Sequence, residues 1–226
     1  MKRKGKTSLL TAITFLIGFL LWTLLILHVD VQAAGPNGTK IGFAAFNLYF
    51  HRLTGVHMII YTITDWLGLV PICICFCFGV LGLIQTVRRR SVFRVDPDII
   101  LLGIYYILVI LCYTIFEMVP INYRPILING VLEASYPSST TLLVLSVMPT
   151  LKFQIDRRAK EPFVRNITSI FVVAFSLFMV IGRLIAGVHW ATDIVGAVLL
   201  SMGLFLLYHC FVNRIDHQME ETYGIQ

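Results

Sequence analysis

The chain has 226 residues, 58% of them hydrophobic and 13% charged, against roughly 45–50% and ~25% in ordinary soluble domains. With a mean hydropathy of +0.84, these values exclude a disordered chain, a nucleic-acid-binding module and a small secreted disulfide scaffold. They make it an integral membrane protein, for which the placing of the charges says more than their sum of +6.

Six apolar runs are candidates to cross a bilayer, each measured against the ~20 residues a helix needs. In chain order they are Ser8 to Val29, Trp66 to Val87, Asp98 to Val119, Ser138 to Phe153, Ile167 to Val188 and Trp190 to Val212. The fourth reaches only ~24 Å at about 1.5 Å per residue, so it is expected to be buried among its neighbours. The fifth and sixth are separated by a turn at His189 and Trp190. The first begins with basic residues, as a signal peptide does, but its apolar run is longer than a signal core and favours an uncleaved span. The fold class is therefore all-α, a six-span transmembrane bundle forming a single domain over 1–226.

Lys2, Arg3, Lys4, Lys6, Arg88, Arg89, Arg90, Arg94, Lys152, Arg157, Arg158, Lys160, Arg165 and Arg214 fall on one side of such a bundle; only Lys40, Arg52, Arg124 and Arg183 fall on the other. The positive-inside rule puts both termini in the cytoplasm and the segments 30–65, 120–137 and the turn at 189 outside. Within 30–65, the run from Ile41 to Phe50 mixes apolar and small residues with few charges. It reads as an amphipathic helix in the outer interface, with Asp65 capping the second span.

Three outer-face groups carry candidate chemistry. Pro137-Ser138-Ser139-Thr140 precedes the fourth apolar run. It is either a plain helix cap or, through the free amides and dipole of a helix N-terminus, an anion site. His189 and Asp193 are four apart and share a helix face. Asp193 there holds one imidazole nitrogen and leaves the other free, as in nucleophilic and acid–base sites; the alternative is an interfacial histidine beside an unrelated carboxylate. Arg124 and Arg183 are either snorkelling interface residues or ligands for an anion. Two guanidiniums, a helix N-terminus and an oriented histidine together describe a phosphate site with a nucleophile. Two metal ligands without a third do not describe a metal site.

These pieces resemble the type 2 phosphatidic acid phosphatase superfamily of membrane lipid phosphatases. That family's pattern is a lysine six residues before Arg-Pro, then Pro-Ser-Gly-His, then Ser-Arg followed after five residues by His and after three more by Asp. Here it reads Glu117 with Arg124-Pro125, then Pro137-Ser138-Ser139-Thr140, then Gly182-Arg183 with His189 and Asp193. The resemblance implies that His189 attacks phosphorus to form a phosphohistidine and that Asp193 orients it. Arg124, Arg183, Ser138 and the amides near Ser139 would bind the phosphate oxygens, with no metal or other cofactor. It implies a plasma-membrane enzyme with an extracytoplasmic site, taking a lipid phosphate or diphosphate among membrane lipids and no nucleic acid.

Two positions depart from the pattern. Glu117 replaces the family lysine, and is a candidate to pair with Arg124 or Arg183 or to act as an acid; Lys40 or Arg52 would then replace the missing cation. Thr140 replaces the histidine that protonates the leaving oxygen, which threonine does not do near pH 7. A lipid monophosphate expels an alkoxide and needs that proton, whose loss costs roughly 10²–10⁴-fold. A diphosphate expels a phosphate monoester of second pKa about 6 and leaves without it. This points to a polyprenyl diphosphate, undecaprenyl diphosphate in a bacterial membrane, unless Glu117, Glu133 or His51 supplies the proton. A phosphotransferase and a non-catalytic lipid-phosphate binder are the alternatives. Cys73, Cys75 and Cys77 read as packing residues, since alternate positions on a helix face different ways.

Overall fold

The computed structural model describes residues 2–223; the side chains of Lys2, Arg3, Lys4 and Lys6, which entered the topology argument, lie outside the described residues. The elements are α1 (Lys2–His28), α2 (Ala44–Thr54), α3 (Met58–Leu67), α4 (Leu69–Arg89), α5 (Pro97–Met118), α6 (Ser139–Arg158), α7 (Pro162–Ile185) and α8 (Ala191–Tyr223), with short 3₁₀ turns at Pro36–Gly38 and Val92–Arg94. No strand occurs among the described residues, only isolated bridges such as Tyr123 with Ala134. Prolines open α5 and α7, where a missing N–H removes no helical hydrogen bond.

Five helical segments are long and apolar enough to cross a membrane: Thr7–His28, Met58–Arg89, Pro97–Met118, Pro162–Ile185 and Ala191–Thr222. The sixth expected span, α6, is not among them, because it falls short in apolarity. The physical reason lies in where α6 turns its polar groups. Ser146, Thr150 and Gln154 are fully buried, and the side chains of Thr150 and Gln154 meet partners rather than lipid. Tyr105 donates to the Ser146 carbonyl at 2.9 Å, Tyr106 and Thr150 share a 2.7 Å hydrogen bond, and Gln154 donates to Tyr208 at 2.7 Å. Polar groups at such depth persist when neighbouring helices satisfy them. The expectation that this helix is buried among its neighbours is met.

A correction concerns Asp65. It does not cap a helix that begins at Trp66. It lies in the last turn of α3, which runs on into α4 through Gly68 in right-handed helical conformation. A helix does form in the run expected to lie in the interface, at Ala44–Thr54. One of its faces, with Ala44 and Asn47, is buried against the start of α8, and the other exposes Phe46, Tyr49 and Leu53.

The core is shared between α1, α5, α6 and α8. Phe19 and Ile26 of α1 pack with Leu102, Tyr105 and Val109 of α5, Leu142 and Val147 of α6, and Leu200, Leu204 and Tyr208 of α8. The opposite surfaces are apolar as well, with Phe76, Ile107, Ile170 and Phe178 exposed, as expected of helices whose outer solvent is hydrocarbon. At one end of the bundle, charged pairs tie the helices together. Arg157 grips Asp216 with two hydrogen bonds of 2.6 and 3.0 Å, Arg158 meets the buried Asp98 at 2.9 Å, and Arg89 meets Asp96 at 2.8 Å. The loops at the other end, which follow α1 and α5 and link α7 to α8, hold the candidate site.

Candidate active site

The turn carrying His189 is set by backbone constraints before any chemistry. Gly187 sits at φ +68°, and a Cβ there would lie 2.0 Å from the Gly55 carbonyl oxygen, so only glycine fits. The neighbouring segment clasps this turn: the His57 amide donates to the Ala186 carbonyl at 3.0 Å, and Nε2 of His51 meets the Gly187 carbonyl at 3.1 Å. Asp193 is the third residue of α8, and its Oδ2 accepts from the Trp190 amide at 2.9 Å, the reach-back of a helix-capping carboxylate. Trp190 is pinned in turn by a 2.7 Å bond from Nε1 to the Tyr123 carbonyl.

The three separated motif pieces converge here. Arg183 lies at the end of α7, fully buried, with Nη2 3.2 Å from Nε2 of His189. Arg124, in the loop after α5, is also buried and has its guanidinium 5.8 Å from the Tyr61 ring centroid, where Arg183 stands at 5.0 Å. One aromatic ring of α3 thus serves two cations. Carboxylates flank them: Glu133 lies 3.1 Å from Nε of Arg124, and Asp65 lies 3.7 Å from Nη1 of Arg183. Glu133 is close enough for an ion pair but poorly aligned for a hydrogen bond. Nε and Nη1 of Arg124 and Nε of Arg183 remain buried donors without an acceptor. A buried unsatisfied donor costs about 1–3 kcal/mol, more when charged, a cost that an acceptor seated among them would relieve.

The expected direct contact from Asp193 to His189 is replaced by an intervening residue. Asp193 accepts from Asn122 at 3.1 Å, from the Ser135 hydroxyl at 2.5 Å and from the Trp190 amide. Nδ1 of His189 faces both the carbonyl and the hydroxyl oxygen of Ser135, each at 3.1 Å. The carbonyl and the guanidinium fix the tautomer, since one only accepts and the other only donates. The proton is on Nδ1 and the lone pair is on Nε2, beside Arg183.

His189 is held well below the usual histidine range by burial first, then by Arg183 and Arg124. It is a neutral imidazole at pH 7. The sign for stability follows: the unfolded histidine takes up a proton below about 6.5 that the folded one refuses, so stability falls as pH drops below that value. Thermal unfolding in detergent between pH 7.5 and 5 is expected to show this loss, and His189→Gln is expected to lose less over the same window. Equal slopes for the two proteins would contradict it.

The other expected site residues are distributed as follows. Ser138 precedes α6 and is fully buried; its amide donates to the Asp193 carbonyl at 3.2 Å and its hydroxyl to Thr141 at 3.1 Å. It therefore splices the start of α6 to that of α8. Ser139 opens the helix, where the first-turn amides have no intrahelical acceptor. It lines a small pocket with Ser135, Tyr136, Tyr113 and Glu117. Thr140 is half-buried in the same turn. Glu117 is exposed and forms no ion pair among the described residues, so the expected pairing with Arg124 or Arg183 does not occur; Glu133 and Asp65 take those places. Lys40 and Arg52 are exposed and make no described contact with a site residue.

The profile described as PAP2 superfamily matches residues 71–216. The chain belongs to the PAP2 superfamily. A search of curated proteins finds no match. Among solved structures, the chain is similar to a transmembrane PAP2-type phosphatidylglycerolphosphate phosphatase from Bacillus subtilis, at 17% identity and a TM-score of 0.60, over 90% of this chain and 96% of that one. At that identity the likeness concerns the PAP2 fold. The residues missed in the sequence are Ser135, Asn122, Tyr61 and Asp65. Ser135 stands two places before a motif proline, which is a weak signal, and the others have none.

Proposed function

We propose that the protein is a lipid phosphate or diphosphate phosphatase that works through a phosphohistidine on Nε2 of His189. The observation that carries this reading is the set of buried guanidinium donors without acceptors beside a neutral imidazole whose lone pair faces them. A phosphate bound by Arg124 and Arg183 would satisfy those donors and draw Nη2 of Arg183 away from Nε2. The lone pair would then face phosphorus. Charge stabilisation comes from two guanidiniums and the α6 amides near Ser139, a set that asks for no metal. The basic residues at the opposite end favour a topology with cytoplasmic termini, here taken to be that of the plasma membrane. The site is then extracytoplasmic, α2 lies in the outer interface, and α6 crosses as a sixth, internal helix.

The substrate class rests on Thr140. With no histidine at that position, a leaving group stable as an anion is favoured, and the best candidate is a polyprenyl diphosphate such as undecaprenyl diphosphate. The Bacillus neighbour is named for a lipid monophosphate, and Glu117 in the pocket wall beside Ser139 is the carboxyl that would protonate an alkoxide if this chain did the same. Phosphate release by the purified protein in detergent with chelator separates these. The expected result is polyprenyl diphosphate turned over about 10²-fold faster than polyprenyl monophosphate or phosphatidylglycerol phosphate, the size of one general-acid contribution. Equal rates would remove the leaving-group argument. A monophosphate preference abolished by Glu117→Gln would make Glu117 the acid.

A further inference from the structure

We propose that Ser135 is a positioning residue through which Asp193 acts on His189, an inference that rests on the phosphohistidine reading above. No hydrogen bond joins His189 to Asp193 among the described contacts. Ser135 makes the connection twice, with its hydroxyl donating to Oδ2 of Asp193 at 2.5 Å and both its oxygens facing Nδ1 of His189 at 3.1 Å. Asn122 and the Trp190 amide hold the carboxylate from other sides, so it is not free to swing to the ring.

Ser135 is not itself placed as the nucleophile. Its hydroxyl proton goes to the carboxylate, and its oxygens accept from Nδ1–H of the ring. The free lone pair of the site is on the far ring nitrogen, next to Arg183.

The relay matters when charge develops. The Nε2 lone pair forms the N–P bond, the P–O bond breaks, and its electron pair leaves on the bridging oxygen of the departing phosphate monoester. The ring keeps its Nδ1 proton and becomes cationic. That proton is then a stronger hydrogen-bond donor to the Ser135 oxygens, and the Ser135 hydroxyl in turn bonds Asp193 more tightly, with neither proton transferred. Water next attacks phosphorus, the N–P pair returns to Nε2, and the water proton passes to solvent. In both steps Asp193 compensates the ring charge at second hand.

The test uses the full chain in detergent, with polyprenyl diphosphate as probe and Ser135→Ala, Ser135→Thr, Asp193→Asn and the double variant Ser135→Ala/Asp193→Asn. Ser135→Ala is expected to lower kcat about 10²-fold at unchanged KM, less than the ~10⁴-fold that follows loss of a direct orienting carboxylate. Ser135→Thr, which keeps the hydroxyl, is expected to restore most of that loss. The double variant is expected to be no worse than the poorer single one, since residues acting in series are not additive. A wild-type kcat in Ser135→Ala, or losses that multiply in the double variant, would overturn the relay.

Nitrogen NMR of the histidine-labelled protein gives a second readout that needs no turnover and no folded Ser135→Ala. His189, assigned by its absence in His189→Gln, is expected as the Nδ1–H tautomer. A proton on Nε2 would overturn the relay whatever the activity. If the wild type and His189→Gln are alike in releasing no phosphate, the phosphohistidine reading fails, and the spectrum still tests whether Nδ1 carries the proton that faces Ser135.

Discussion

His189→Ala will reduce phosphate release to near background, a loss of about 10⁴–10⁶-fold in kcat, the scale seen when a nucleophile is removed from a site whose charge stabilisation survives. The reason is positional. Nε2 of His189 lies 3.2 Å from Nη2 of Arg183, and alanine leaves nothing there to bond phosphorus. What remains is a cradle of two arginines able to hold the lipid phosphate and admit water. Binding should therefore persist, with KM or inhibition by inorganic phosphate changed only a few-fold. Acid-quenched protein after brief exposure to labelled diphosphate gives the direct check. The wild type carries acid-labile phosphate and His189→Ala carries none. A variant that still turns over within tenfold of the wild type would place the chemistry elsewhere.

Substitution of Arg183 has the second-largest expected effect, and two replacements separate its two duties. Arg183→Lys keeps the charge but loses the planar fork that meets phosphate oxygens and stacks on Tyr61, and kcat/KM is expected to fall about 10²–10³-fold, the range for one transition-state donor. The acid limb of the pH–rate profile should stay in place, because the cation that helps hold His189 neutral is retained. Arg183→Gln removes the cation as well. Since Arg183 is among the causes that lower His189, its loss raises that group back toward 6.5, and the acid limb should move to higher pH in addition to the fall in rate. A limb that stays fixed in Arg183→Gln would mean that burial alone sets the state of the imidazole.

Much of this was legible in the sequence for one reason: a bilayer penalises polar and charged residues so heavily that the few on the scarcely charged side stand out. Arg124, Arg183, His189 and Asp193 were found this way, and the structure brings them to one end of the bundle. The apolar runs gave the crossing helices, within a few residues at most ends. α6 stands out less clearly, because its hydropathy is lowered by residues such as Ser146, Thr150 and Gln154. Nothing in one-dimensional order says that these face tyrosines of α5 and α8 instead of lipid.

The site's inner wiring was not legible, because it depends on residues far apart in the chain. Ser135 lies 54 positions from His189 and 58 from Asp193. A four-residue helical spacing suggested a direct His189–Asp193 bond, but His189 sits in the turn before α8, outside the helix that the spacing assumed, and Asp193 bends back to cap that helix at Trp190. The same holds for the counter-ions: Glu117 looked like the partner of the arginines by motif position, while the packing of α3 and of the loop after α5 presents Asp65 and Glu133 instead. Composition and spacing are enough to read a helical membrane protein, its PAP2-like motif residues and the end of the bundle where they gather. Which oxygen meets which nitrogen is settled on folding, because a hydrogen bond is fixed by distance and direction between atoms that the chain brings together only then.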